Sequence, residues 1–184
     1  MDKGAECYRR FLNGDDNGLA EIIDMYNEGL SLYLNGIMNN ICEAEEIMQE
    51  TFVKLAVKKP KFDGKCAFKT WLYTIARNCA LNYKRYRSRF SDAPIDENFC
   101  LSDETDIERQ YLLEEQKIEL HKAMKNLKPE YFQVLYLKYF ENFDIENIAK
   151  VMHKSKRQIE NLTYRAKKSL KSELEKAGFH YEEF

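Results

Sequence analysis

Glycine and proline are scarce in this chain, 7 and 3 among 184 residues, too few for a protein built of many short strands joined by tight turns. No apolar run approaches the roughly twenty residues a membrane span requires. The start, Met1-Asp2-Lys3-Gly4, has neither the basic region nor the apolar region of a secretion signal. The five cysteines, Cys7, Cys42, Cys66, Cys79 and Cys100, are odd in number and widely spaced, with no CxxC pair. That pattern argues against a disulfide framework or a zinc site and for reduced thiols in a cytoplasm. His121, His153 and His180 stand alone, so a metal centre would have to be built almost entirely from carboxylates; no metal and no cofactor are expected. What is present is 44% hydrophobic and 33% charged, the balance of a globular chain, and with so few turn residues it reads as mostly helical.

The net charge of −2 conceals a strong segregation along the chain. Residues 1–53 carry 3 basic and 11 acidic side chains, whereas 54–90 carry 11 basic and 1 acidic. Residues 91–119 return to 2 basic against 10 acidic, 120–152 are nearly balanced, and 153–171 hold 7 basic against 1 acidic. Two basic blocks separated by acidic ones suit two separate contacts with a polyanion. A solvated face is the plainer account of either block alone, but both coincide with helical patterns that also carry aromatic and amide side chains.

Helical periodicity organises the first ninety residues. Ile22, Ile23, Tyr26, Leu30 and Tyr33 form one stripe, Ala44, Ile47, Met48, Thr51, Phe52 and Leu55 a second, and Phe68, Trp71, Leu72, Ile75, Ala76 and Cys79 a third. Pro60 and Gly64 separate the second helix from the third. Between about Ser88 and Thr105 the periodicity vanishes, and the acidic, polar run Ser91–Asn98 has a linker's composition. Helical pattern resumes from Asp106 to Asn126, and Lys128-Pro129-Glu130 marks a further helix start. The following Tyr131–Phe140 is apolar enough to suit a strand; its proline start and helical neighbours favour a helix.

Residues 144–171 read as a helix–turn–helix. Ile145, Ile148, Ala149, Val151 and Met152 lie on a short helix, His153 and Lys154 make the turn, and Ser155 is a suitable N-cap for the next helix. Ile159, Leu162, Ala166 and Leu170 form its buried stripe, while Arg157, Gln158, Asn161, Tyr164, Arg165 and Lys168 share the other side. Such a face is what major-groove readout needs, because Arg and Lys reach guanine, Asn and Gln pair with adenine, and later basic residues neutralise phosphates. An ordinary surface helix in a helical hairpin is the bland alternative.

At Glu43-Ala44-Glu45-Glu46-Ile47-Met48-Gln49-Glu50-Thr51-Phe52-Val53-Lys54-Leu55, and again at Phe62-Asp63-Gly64-Lys65 leading into Phe68-Lys69-Thr70-Trp71-Leu72-Tyr73-Thr74-Ile75-Ala76-Arg77-Asn78, the sequence resembles region 2 of the extracytoplasmic-function (group IV) sigma factors of bacterial RNA polymerase. Tyr164-Arg165-Ala166-Lys167-Lys168-Ser169-Leu170 is similar to the end of that family's region 4 recognition helix. The resemblance covers most of residues 8–175 and implies an all-α chain of two small helical domains: region 2 at 1–88, a flexible acidic linker at 89–105, and region 4 at 106–184. It implies a cytoplasmic transcription initiation factor and not an enzyme. In the family, region 2 docks on the β′ clamp helices of core polymerase and reads the −10 element as opened strand, while region 4 reads the −35 duplex and contacts the β-flap. An anti-sigma factor, typically membrane-bound, is a further implied partner; a small-molecule substrate is not.

Carried onto this chain, the core-polymerase candidates are Glu46, Gln49 and Glu50, on or beside one acidic helix face. For the −10 strand, which calls for a cationic groove and aromatic platforms, they are Lys65, Phe68, Lys69, Arg77, Asn78, Asn82, Tyr83, Arg85 and Arg87. Trp71 lies on the apolar stripe and reads as core. For the −35 element they are Lys156, Arg157, Gln158, Glu160, Asn161, Tyr164, Arg165 and Lys168. The turn departs from the family pattern, with His153 and Lys154 where glycine and an apolar residue are usual, and Glu160 stands where a basic residue is common. Asp92, Asp96, Glu97, Asp103 and Glu104 of the linker suit either a solubilising tether or a mimic of nucleic-acid charge. The tail Gly178–Phe184 is aromatic and acidic, with packing, partner binding and fraying all open. The runner-up is a stand-alone helix–turn–helix repressor or activator, which would use 144–171 and leave 43–78 without a role. Catalysis finds no Ser/His/Asp set, phosphate-binding loop or metal-ligand spacing to support it.

Overall fold

The computed structural model describes residues 2–90, 120 and 122–176. It contains α1 (Lys3–Leu12), α2 (Asn17–Met38), α3 (Ile41–Lys58), α4 (Phe68–Phe90), α5 (Pro129–Tyr139), α6 (Ile145–Met152) and α7 (Lys156–Lys176), with a further helical turn at 122–125. No strand occurs among the described residues, so the all-α reading holds. None of these helices is long and apolar enough to cross a membrane. The linker run 91–105, the helix read at 106–119 and the tail from 177 lie outside the described residues.

Short polar side chains set the helix boundaries. The Asp2 carboxylate accepts from Ala5 N at 3.2 Å at the start of α1 and from Phe68 N at 2.6 Å at the start of α4, so one anion serves the exposed amides of two helices. Asn39 ends α2 in the left-handed region, and Asn40 caps α3 by accepting from Glu43 N. α3 ends at Lys59, also left-handed, just before Pro60. Pro129 occupies the first turn of α5, where its missing N–H costs nothing. His153 adopts φ 52° after α6, the positive-φ conformation the turn demands of a residue that is not glycine.

The stripes read from the sequence face inward. Ile22, Leu30, Ile47, Leu55, Phe68, Leu72 and Ala76 are buried in the packing of α1 to α4, and Leu135, Ile148, Val151, Ile159 and Ala166 in that of α5 to α7. These two sets belong to one continuous apolar cluster, because α5 lies against α2 and α6 against α4. Six successive residues of α5, Phe132 to Leu137, are buried. This explains why Tyr131–Phe140 lacked a one-sided pattern: the helix has neighbours all round. Cys7, Cys66 and Cys79 are free thiols, but Cys42 is disulfide-bonded, contrary to the expectation that all five are reduced. Folding brings cysteines together across distances that sequence spacing does not register.

Candidate nucleic-acid interface

The helix–turn–helix is α6 and α7. Asp144 caps α6 by accepting from Asn147 N at 2.7 Å. Ser155 caps α7 reciprocally: its Oγ accepts from Gln158 N at 3.3 Å while its own N–H donates to Gln158 Oε1 at 2.7 Å. Ile159, Thr163 and Ala166 turn inward, and Lys156, Arg157, Gln158, Glu160, Asn161, Tyr164, Arg165 and Lys168 are all exposed, Tyr164 to 72%. The expected face is therefore intact as a surface. Within it Gln158 has its carbonyl oxygen committed to the cap, leaving its amide N–H groups for any base. Lys156 is ion-paired with Glu146 of α6, which holds its ammonium above the usual lysine range.

On α3, Glu46, Gln49 and Glu50 are exposed. The face continues for two more turns through Val53 and Val57, which leave 57% and 75% of their surface in water. The sequence reading passed over these two valines, although their signal was present: both are apolar and both miss the stripe of Ala44, Ile47 and Leu55. An acidic head with an apolar tail suits a protein partner better than a solvated flank does.

The basic helix α4 is less open than its charge suggests. Phe68 is wholly buried, its ring 5.5 Å from Tyr8, 5.6 Å from Phe62 and 5.4 Å from Trp71. It offers no face to a base, and its assignment as a DNA contact is corrected to packing: the residue opens α4, and the chain before it folds over its ring. Trp71 joins the same cluster, as expected. Tyr83 donates towards Glu46 at 3.5 Å, and Arg87 pairs with Glu43, so both lean towards α3. Burial and the Glu46 charge together push the Tyr83 hydroxyl up. Lys65 is exposed and pairs with Asp63 at 3.1 Å.

Three other residues touch the second helical unit, with Arg77 buried, Lys69 half-buried and Asn78 still exposed. Lys69 pairs with Glu141 at 2.6 Å, Asn78 lies 3.3 Å from His153 Nε2, and Arg77, only 7% exposed, donates from Nε to Gln133 Oε1 at 2.9 Å. Asn82 and Arg85 remain exposed, alongside Tyr86 and Arg89, which sequence reasoning omitted. Positions 82, 85, 86 and 89 fall at helical spacing, a pattern visible in the sequence once α4 is known to run as far as Phe90.

Two family models match in this order: Sigma-70 region 2 over residues 23–90 and Sigma-70 region 4 over 117–170. The chain belongs to the sigma-70 family. Its curated relatives place it with the extracytoplasmic-function sigma factors: it is 28% identical to RNA polymerase sigma factor YlaC of Bacillus subtilis (88% of this chain, 94% of YlaC) and 25% identical to the sigma factor SigW of the same organism (88% and 91%). The fold is also that of the sigma factor RpoE from Bartonella quintana, solved in complex with the anti-sigma factor NepR, with TM-score 0.68 at 21% identity over 85% of this chain and 96% of that one. CnrH, solved with the cytosolic domain of CnrY, gives TM-score 0.63 at 18% identity, covering 95% and 97%. This sigma factor is a transcription initiation factor that directs RNA polymerase to promoters. Its region 2 match spans nearly all of α2 to α4, and its region 4 match contains α5, α6 and most of α7.

Proposed function

We propose that residues 1–88 form the unit that binds core polymerase and holds the opened −10 strand, that 89–105 link it to the second unit, and that 106–184 read the −35 duplex. The observation that carries this reading is the pairing, in one chain, of the exposed basic and amide face of α7 with the acidic-then-apolar face of α3. Glu46, Gln49 and Glu50 supply charge for a basic helical partner such as the β′ clamp helices, and Val53 and Val57 supply burial. In the loop before α4 and along the helix, Lys65, Lys69, Arg77, Asn78, Asn82 and Arg85 are the strand contacts, and the exposed ring of Tyr86 replaces Phe68 as stacking platform. Tyr83 and Arg87 position α3 against α4 by their links to Glu46 and Glu43. On α7, Arg157, Asn161 and Arg165 are suited to base edges, and Lys156, Tyr164 and Lys168 to phosphates; Glu160 is suited to accept from cytosine N4.

The chain acts in the cytoplasm and does no chemistry of its own; catalysis belongs to the polymerase. An anti-sigma factor is its second protein partner, a reading supported by the complexes in which RpoE and CnrH were solved. Selection of random duplex DNA by the purified chain, with and without core polymerase, tests the proposal. Two spaced motifs should be enriched with core present and not by the chain alone. Enrichment of an inverted repeat by the chain alone would instead establish a dimeric helix–turn–helix regulator.

A further inference from the structure

Residues 59–67 join α3 to α4 and carry Lys65 at their exposed tip. At that tip Asp63 Oδ1 accepts from Lys65 N at 3.1 Å, Gly64 takes φ 72°, and Lys150 of α6 donates to the Lys65 carbonyl at 3.2 Å. A segment this open is costly to hold in one conformation, since each fixed residue gives up backbone freedom. Its two ends are fixed by Asp2 and α1, which precede the residues 23–90 matched to region 2.

Tyr8 holds the entry to the loop. Its hydroxyl donates to the Pro60 carbonyl at 2.7 Å, from a side chain that is buried. Burial pushes that hydroxyl up to about 12, so it remains a donor near neutral pH. The ring lies 5.5 Å from Phe68 and 5.3 Å from Trp71, and Phe62 of the loop closes on the same two rings at 5.6 and 5.2 Å. Asp2 holds the exit: its Oδ2 accepts from Phe68 N at 2.6 Å while its Oδ1 caps α1. Gly4 permits the close approach, because a Cβ there would lie 2.5 Å from the Phe68 ring and 2.6 Å from the Tyr26 hydroxyl. A hydroxyl thus grips one end of the loop and a carboxylate the other, and Lys65 between them stays open to solvent.

The geometry points to Asp2 and Tyr8 as positioning residues for promoter opening: by fixing Pro60 and Phe68 they hold Lys65 where the separated −10 strand passes. Tyr8 is buried and Asp2 is engaged at both oxygens, so each acts through Lys65 and not on the strand itself. A loop ordered before the strand arrives subtracts no ordering cost from strand binding. This inference rests on the assignment of Lys65 to the −10 strand.

Tyr8→Phe removes one hydroxyl and keeps the ring, and Asp2→Ala releases the other end. Both are compared with the wild type on a promoter selected from random DNA with the wild-type chain and core polymerase. Permanganate follows the decay of the opened bubble after a heparin challenge. Tyr8→Phe should shorten the bubble's lifetime by about two- to tenfold, the range of one net hydrogen bond. Asp2→Ala should shorten it by about tenfold or more, since its acceptor is charged. Affinity for core polymerase should stay within about twofold of wild type, because the face of α3 is untouched. Lys65→Ala should itself shorten the lifetime, and on that background neither substitution should shorten it further. Arg10→Ala loses the pairs with Asp15 and Glu21 but keeps both loop contacts, so its bubble should last as long as the wild type's. If Asp2→Ala loses helix content by circular dichroism, Tyr8→Phe alone decides. An unchanged lifetime in Tyr8→Phe, losses that add to that of Lys65→Ala, or an equal loss in Arg10→Ala would each overturn the positioning role. A Lys65→Ala lifetime equal to wild type overturns it through its premise, while core-dependent initiation still upholds the sigma reading. If no promoter is selected at all, the sigma reading falls and this inference with it.

Discussion

Val53 and Val57 separate polymerase binding from stability more cleanly than the acidic residues beside them. Burying a whole valine contributes about 1.5–3 kcal/mol. With 57% and 75% of their surfaces exposed, covering both by a partner is worth about 2–4 kcal/mol, or about 30- to 900-fold in dissociation constant. The double substitution Val53→Ser, Val57→Ser should therefore weaken binding of fluorescently labelled protein to purified core polymerase by at least that lower factor, measured by anisotropy. The same change removes little from the fold, since exposed positions away from caps and cores alter stability by about 0.5 kcal/mol or less, and thermal melts should nearly coincide. Serine keeps the net charge, so long-range attraction by Glu46 and Glu50 is preserved and the loss should appear in the dissociation rate. An affinity within twofold of wild type would refute the assignment of this face to core polymerase.

Phe68→Ala should lower stability by about 3–5 kcal/mol in urea unfolding, as expected for a large ring removed from a closed cluster; a strand-binding defect in a fully stable protein would return Phe68 to the DNA. Lys168→Ala should reduce the slope of log affinity against log salt for promoter duplex by about one and weaken all sequences alike, whereas Arg157→Ala or Arg165→Ala should relax the preference at one base pair by about 1–3 kcal/mol. In the first unit, hydrogen bonds from Arg10 hold the Asp15 and Glu21 carboxyls below their ordinary range. A depressed carboxyl contributes stability above its unfolded value and loses it as pH falls through the folded one. The melting temperature of Arg10→Ala should therefore lie furthest below wild type near neutral pH, with the gap closing as acid titrates these two groups; a gap constant with pH would show that Arg10 acts through packing alone.

Much of the molecule was legible because helices announce themselves by spacing. The three stripes of the first unit, the cap at Ser155 and the buried and exposed sides of α7 all follow from one-dimensional patterns with a period near 3.6. α5 resisted because burial on every side erases periodicity, and that erasure itself reflected a helix caught between two partners. Phe68 misled because an aromatic residue beside lysines resembles a stacking platform until the fold closes Tyr8, Phe62 and Trp71 around it. Gly4 was silent in the sequence: a glycine within a helix shows that something comes close, and only the packing of α1 on α4 identifies what. Val53 and Val57 were overlooked because the acidic residues before them drew the eye to charge, although apolar residues off the core stripe carry their own signal.

The central claim is that this chain turns core polymerase into a promoter-opening enzyme. Its most direct test is multi-round transcription by core polymerase on a library of random templates, with transcript ends sequenced and single-stranded thymines mapped by permanganate. Start sites that require the chain, two shared upstream motifs at fixed separation, and a reactive bubble at the nearer one are expected. The Gln49→Ala, Glu50→Ala variant should weaken initiation at those sites, with recovery as its concentration rises. If core polymerase gains no new start sites while the chain alone shifts a defined duplex, the account is contradicted at its root and the helix–turn–helix acts as a regulator of its own.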